Sequence, residues 1–540
     1  MSSGSQLRNT SLHLRLTQVF RDLVQKAIGE AQASNHIQRV TDDVKGLSSS
    51  SLSSAVSSQE NKDNLSVESP TPPVESQEAP NSTKSWQTYM KLMKPSDKPE
   101  PSAVPKWKLE VASARGGIDA RTRHLVDMVR SAQTDMSRSR RVEDLIRHLR
   151  QYPESSNLAF MEGAVSSLLM MSERTSDSVV QMQLREALAM LGHVWPVPGR
   201  GIRILSIDGG GIRGILAIEL LRELERLSGQ PIYQMFDLIC GVSTGALLAA
   251  LLGPLKRSLD DVEELYTRLG TEVFQQTRLR GTTKLLWQHS YYDTDAWRNI
   301  LQRHLGETRL IALSRDPDVP KMAAVSTLVS SEQLQAFIFR SYNHPHHVQS
   351  QYQGGSQYKI WEAIQASAAA PGYFQECRIG DMLHQDGGIL VNNPAAIAIH
   401  EARQLWPREP LQCVVSLGTG RFAPNSLSTL PVAASADYTS WVTKIRKFVD
   451  SATDTEGVNT ILTELLPTHT YFRLNPYLSQ SVTLDDSCPL KLAQLKEDAR
   501  MYVRKNGFKL GRAVTELGRQ RRRHQQLVDW VQRRRDTYAV

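Results

Sequence analysis

Two hydrophobic periods divide the chain. Between Asp119 and Val194 apolar residues recur at helical spacing, and "RRVEDLIRHLRQYP" sets Val142, Leu145, Ile146 and Leu149 on one stripe that Pro153 ends. "NLAFMEGAVSSLLMM" and "SVVQMQLREALAMLGHV" continue the same period, which predicts three or four short antiparallel helices with the methionines in their core. From Ile202 the pattern changes. The runs "IRILSID", "FDLICG", "MAAVSTLV", "QAFIFRSY" and "CVVSLGTG" are short and mostly apolar throughout, and helical stretches lie between several of them. Continuous apolar strands alternating with helices predict a mainly parallel sheet covered on both faces.

Outside these regions the pattern weakens. Leu16, Val19, Phe20, Leu23, Val24, Ala27 and Ile28 form one amphipathic stripe, with Arg8, Arg15, Arg21 and Lys26 around it and no acidic residue before Asp22. An organelle transit peptide, a membrane-surface helix and a helix packed on the body all fit such a segment. Ser48 to Pro105 is rich in Ser and Pro, with eight prolines from Pro70 onward. It has too little apolar area to offset its ordering entropy, and is expected to be disordered. The expected organisation is therefore a basic N-terminal segment (1–45), a disordered linker (46–106), a small armadillo-like helical module (107–198), an α/β domain (199–401) and a C-terminal extension with a strand, helices and a basic tail (402–540).

Charge changes this picture at one place. The chain of 540 residues carries a net charge of +8, and the tail from Met501 to Val540, with 11 Lys/Arg against 3 Asp/Glu, accounts for all of it. An anionic partner is thus expected mainly at the C-terminus, where "GRQRRRHQQLVDWVQRRR" groups seven arginines. Four scattered cysteines without a C-x-x-C argue against a zinc site or a disulfide framework and for a reducing compartment. No apolar run approaches the roughly 18 to 20 residues needed to span a bilayer, and no secretory signal is evident, so membrane contact is expected to be peripheral.

The chemistry concentrates in three loops. "ILSIDGGGIRGILAIELL" places Gly209, Gly211 and Gly214 in a G-x-G-x-x-G pattern between a strand and a helix, a ready site for an anion. A dinucleotide site would want an acidic residue near the end of the second strand, but Asp237 lies at its start; a phosphate loop would want G-K-[ST], which is absent. The second strand instead runs into "GVSTG", Gly241 to Gly245, a G-x-S-x-G in strand–turn–helix context that pushes the Ser243 hydroxyl out of a tight turn. Serine needs a base. His384, His400 and Asp386 are the candidates, the last in "HQDGGILVNNP", where two glycines let backbones come close.

D-G-G-G-I-R-G, then G-V-S-T-G, then a late D-G-G followed by "NNP", with "ASAAAPGYF" shortly before it, resembles the patatin-like phospholipases over about Ile202 to Glu401. The flanking segments "VVSLGTGR" and "SATDTEG" resemble a calcium-independent branch of that family found in mitochondria and peroxisomes. The resemblance implies a three-layer α/β fold and a Ser–Asp dyad without histidine. Ser243 would be the nucleophile and Asp386 the base; the amides of Gly209, Gly210 and Gly211 would form the oxyanion hole, supported by Arg213. It implies hydrolysis of fatty acyl esters of membrane glycerophospholipids at an organelle membrane, with no cofactor or metal, and the basic tail on anionic lipid rather than nucleic acid. The ending "TYAV" differs from the Ser-Lys-Leu of the peroxisomal members, so that import signal is not expected. A catalytically silent lipid-binding or scaffold protein on the same fold is the contrasting reading.

Overall fold

The structure, a computed structural model, describes residues 106–274, 292–422 and 455–538. The expected N-terminal helix, the Ser/Pro-rich linker before Lys106 and the start of "SATDTEG" lie outside them. The chain divides into two compact units, Met1–Gly116 and Gly117–Val540. Of the first only Lys106–Gly116 is described, as the opening turns of a helix; the sheet and the site belong to the second.

The helical module comprises α1 (Lys106–Arg130), α2 (Asp135–Gln151), α3 (Ala164–Arg174) and α4 (Ser178–Met190). Helix α2 starts where the Thr134 side chain accepts from the Ser137 amide, and it buries the predicted Val142, Leu145, Ile146 and Leu149. Asp177 caps α4 in the same way, accepting from Val179 and Val180. The methionines divide: Met171 and Met190 are in the core, whereas Met136, Met161 and Met182 are exposed. Buried Glu186 of α4 ties the module inward, accepting from Arg150 at 2.8 Å and pairing with Arg315 of the following domain.

That domain alternates strands and helices: β1 (Ile202–Ile207), α5 (Ile215–Ser228), β2 (Leu238–Val242), α6 (Thr244–Leu252), α7 (Leu259–Phe274), α8 (Thr294–Leu305), β3 (Lys321–Leu328), β4 (Gln335–Arg340), β5 (Gln353–Gly355), α9 (Ile360–Ser367), β6 (Cys377–Ile379), β7 (Met382–Asp386), α10 (Ala395–Leu405), β8 (Leu411–Leu417), α11 (Thr455–Leu465), β9 (Tyr471–Leu474), α12 (Pro489–Lys505), α13 (Gly507–Leu517) and α14 (Arg523–Tyr538). The sheet runs β5-β4-β3-β2-β1-β8-β9, with β3, β2, β1, β8 and β9 parallel. The β6–β7 hairpin joins it through β7, antiparallel to β3, so that Asp386 pairs with Ser326. Every residue of β1 and β2 is buried, because both faces are covered. Leu205, Ile207 and Ile239 enter the large core with α5 and α6, while α10 packs on the other face of β1 and β2.

All five predicted strands are present. The residues expected to form an extension after 401 do more than extend the domain: β8 pairs directly with β1, and β9 with β8, so the C-terminal segment completes the sheet. A boundary at 401 would cut through one hydrogen-bonded ladder. Among the described residues no helix is long and apolar enough to cross a membrane.

Candidate active site

Ser243 sits at φ 54° and ψ −119°, a conformation that a residue with a side chain adopts only at a cost of about 1–3 kcal/mol. The surrounding turn enforces it. A Cβ on Gly241 would lie 2.1 Å from the Gly245 carbonyl oxygen, and one on Gly245 would lie 2.2 Å from that of Ile207. Both glycines are required because strand, turn and helix pass within backbone contact. The Ser243 amide donates to Ser367 Oγ at 2.9 Å, and Ser367 in turn donates to the Val325 carbonyl at 2.6 Å, which anchors the turn to α9 and β3.

The last residue of β7, Asp386, meets this serine. Its carboxylate accepts a hydrogen bond of 2.7 Å from the Gly388 amide, and the Ser243 hydroxyl is the other hydrogen-bonding group that acts on it. Burial pushes its pKa from 3.8 up to about 6, and these two bonds pull against that rise. Its backbone is pinned on both sides: the amide donates to Ala369 O at 2.9 Å and the carbonyl accepts from Thr327 Oγ1 at 2.9 Å.

The histidines do not join them. His384 is fully buried between Phe337 and Phe339, with Nδ1 at 3.0 Å from Ser326 Oγ and a pKa pushed by burial down to about 4. His400 lies on α10 beside Ser350 and Tyr352. Among the described residues no histidine lines the pocket that holds Ser243 and Asp386.

The glycine loop closes the third side. A Cβ on Gly209 would sit 3.3 Å from Ser243 Cβ, so the loop runs directly beside the serine. Its amides are not equivalent. Gly209 N–H is taken by the Asn392 carbonyl oxygen at 3.3 Å, whereas those of Gly210 and Gly211 have no protein partner among the described residues. The expected three-amide cradle is thus reduced to two free donors from this loop. The Thr244 amide, which opens α6 immediately after the serine, adds a donor beyond the three glycines of the expected cradle. Arg213 lines the same pocket, and its Nε reaches the Gly210 carbonyl at 3.4 Å, bracing the loop.

Several residues without a sequence signal hold this arrangement. Tyr266 of α7 donates to the Gly211 carbonyl and bonds the Thr244 hydroxyl, linking glycine loop and elbow. Thr419, in the "SLGTG" turn after β8, donates to the Gly209 carbonyl at 2.7 Å. Ile212 N–H donates to Leu484 O at 2.8 Å. The pocket opens in front of Ser243 with Leu247, Leu269, Trp297, Tyr373, Phe374 and Leu484 among its walls. Such walls suit an acyl chain. Among the described residues no cluster of His, Cys, Asp or Glu could hold a metal ion.

The basic tail lies elsewhere. Arg521 pairs with Glu409 and Asp529, and Gln525 donates to Arg200 O; residues 200 and 409 precede β1 and β8. Helix α14 therefore packs at the N-terminal ends of the strands, whereas Ser243 and the glycine loop follow their C-terminal ends.

Comparison with known proteins agrees with the geometry. Residues 205–399 match the patatin-like phospholipase family. This segment is a patatin-like phospholipase domain. The chain is 46% identical over 426 residues to calcium-independent phospholipase A2-gamma of Homo sapiens, covering 79% of this chain and 54% of that protein. The Mus musculus protein of the same name is 45% identical with the same coverage. Phospholipase A I of Arabidopsis thaliana is 30% identical over 401 residues, covering 63% of this chain and 30% of that one. The chain thus spans about half the length of the mammalian relatives, and the match extends well beyond the patatin domain itself.

Proposed function

We propose that this chain hydrolyses fatty acyl ester bonds of membrane glycerophospholipids without calcium, through an acyl-enzyme on Ser243. The observation that carries this reading is the Ser243 hydroxyl, held on a strained elbow beside the buried Asp386 carboxylate, with the amides of Gly210 and Gly211, which have no partner among the described residues, at the same apolar pocket. The names of the relatives, calcium-independent phospholipase A2-gamma and phospholipase A I, support the same substrate class.

The steps follow from the groups present. Asp386, ionised above about pH 6, takes the Ser243 proton as Oγ attacks the ester carbonyl carbon. The carbonyl oxygen becomes an anion next to the amides of Gly210 and Gly211 and at the N-terminus of α6, where each preorganised donor is typically worth about 3 to 4 kcal/mol. The C–O bond to the glycerol breaks, and Asp386 returns the proton to the leaving alkoxide. The same carboxylate then takes a proton from a water that attacks the acyl carbon; the bond to Ser243 Oγ breaks, the fatty acid leaves, and Asp386 returns that proton to the serine.

We also propose that the outward face of α14, with exposed Leu527, Trp530 and Val531 among Arg523, Arg534 and Arg535, meets anionic lipid. Its acidic residues Asp529 and Asp536 are instead engaged with Arg521 and Gln532.

An active-site-directed fluorophosphonate tests the enzyme against a silent lipid-binding protein. Covalent labelling of folded wild-type protein that disappears in Ser243→Ala is the expected result. A folded wild type that neither labels nor releases fatty acid would leave only the binding reading.

A further inference from the structure

A glycine loop cannot be held by its own side chains, and an oxyanion site depends on donors fixed before the reaction begins. Beyond the bonds that Asn392, Thr419, Tyr266 and Leu484 make to the loop itself, its entry is fixed at the residue just before the glycines. Asp208 is 1% exposed, and its amide donates to Leu417 O at 2.9 Å, continuing the sheet. Its carboxylate is gripped by Arg473 of β9 through two parallel bonds, Nη1 to Oδ1 at 2.9 Å and Nη2 to Oδ2 at 2.6 Å. Arg473 is itself 6% exposed and has little freedom to turn. Nη1 also donates to Ser416 Oγ at 3.0 Å, and Nη2 lies 3.5 Å from Glu456 Oε1 of α11. Asn475 ties the same group together, donating to Glu456 Oε1 at 2.8 Å and accepting from the Gly420 amide at 2.9 Å.

The pair is poorly explained as a source of stability. Burying two charges costs several kcal/mol per ion, and well-packed apolar replacements are often neutral or better. What two parallel bonds to a planar guanidinium do provide is a fixed orientation of the carboxylate, and with it of the backbone that follows. Arg473 lies 74 residues past the end of the matched patatin segment at 399, yet its grip falls on the residue before Gly209.

We propose that Arg473 is a positioning residue that helps to fix the amides of the glycine loop for the oxyanion by holding Asp208 bidentately, with Glu456, itself held by Asn475, bracing Arg473 in turn. The C-terminal segment thereby becomes part of the catalytic apparatus rather than an appendage. This rests on the reading of Gly210 and Gly211 as oxyanion donors.

The test uses the full chain and the variants Arg473→Lys, Arg473→Met and Ser243→Ala. Three quantities are read: kcat and KM on a soluble chromogenic ester, inhibition by a lipid trifluoromethyl ketone, and affinity for an ether-linked phospholipid analogue. The ketone forms a tetrahedral oxyanion on the serine; the ether cannot. Arg473→Met is expected to lower kcat about a hundredfold, within the range for loss of one oxyanion donor. KM and ether affinity should change less than about threefold, while ketone inhibition weakens in parallel with kcat. Arg473→Lys, which keeps the charge but not the fork, should fall between wild type and Arg473→Met.

Unchanged kcat in either folded variant overturns the proposal. So does equal weakening of ketone and ether, which marks a collapsed pocket, and so does unfolding of both variants, which assigns the pair to stability alone. A wild type that does not hydrolyse ester, or a Ser243→Ala variant that still does, overturns the function as well as this role. A working wild type with indifferent Arg473 variants overturns only this one.

Discussion

Replacing Asp386 by Asn should separate catalysis from stability. The carboxyl is 6% exposed, and burial raises its pKa from 3.8 to about 6. That difference is worth about 3 kcal/mol between the two protonation states, so the fold holds the ionised form at an energetic disadvantage of that order. In the window between about pH 4 and 6 the folded state binds more protons than the unfolded one, and the group's contribution to stability declines as pH rises. It is fully present below about 3.8 and gone once pH passes about 6. Asparagine removes the buried charge while its amide oxygen can still accept from Gly388 N–H, now bonded at 2.7 Å. The variant should therefore be more stable than wild type at pH 8, by up to about 3 kcal/mol, and this advantage should vanish towards pH 4. Ester hydrolysis should fall by about 10²- to 10⁴-fold with the base lost, and wild-type kcat/KM should rise with pH to a plateau above about 6. Urea unfolding of both proteins from pH 4 to 8, alongside turnover of a soluble ester, measures all three. A variant less stable than wild type at pH 8, or a stability difference that ignores pH, would refute the argument that Asp386 is a buried base held at a cost.

The strain at Ser243 gives a second test: Ser243→Gly should be about 1–2 kcal/mol more stable than Ser243→Ala, since both lose the hydroxyl but only glycine tolerates φ 54°. Denaturation midpoints that rank alanine above glycine would contradict a strained elbow. At the other end of the sheet, changing Arg523, Arg534 and Arg535 of α14 together to Gln should weaken binding to vesicles containing phosphatidylglycerol about a hundredfold. Turnover of a soluble ester should stay within about twofold, because α14 does not touch the pocket. Sedimentation with anionic and zwitterionic vesicles reads the first, and a parallel loss of soluble-ester turnover would show that the tail serves the site directly.

Much of this protein was legible from neighbouring residues. Apolar runs without alternation gave the strands of a sheet covered on both faces, and Val142, Leu145, Ile146 and Leu149 gave the stripe that α2 buries. The glycines around Ser243 and after Asp386 marked the tight turns, because a backbone that must pass within contact of another excludes every side chain but glycine. Short or partly polar strands such as β7 and β9 left no such trace, since four or five residues with one polar face look like loop.

The tertiary structure alone decided how those turns meet. It gave the Gly209 amide to Asn392, put His384 among phenylalanines rather than beside Ser243, and brought Arg473 to Asp208 across 265 residues. Local sequence constrains the backbone near it through sterics and propensity. Which buried donor finds which acceptor depends on sheet order, and that order is settled by pairing between distant strands. The chain announced a serine, an acid and a glycine loop; the sheet, completed by β8 and β9, is what makes them one site.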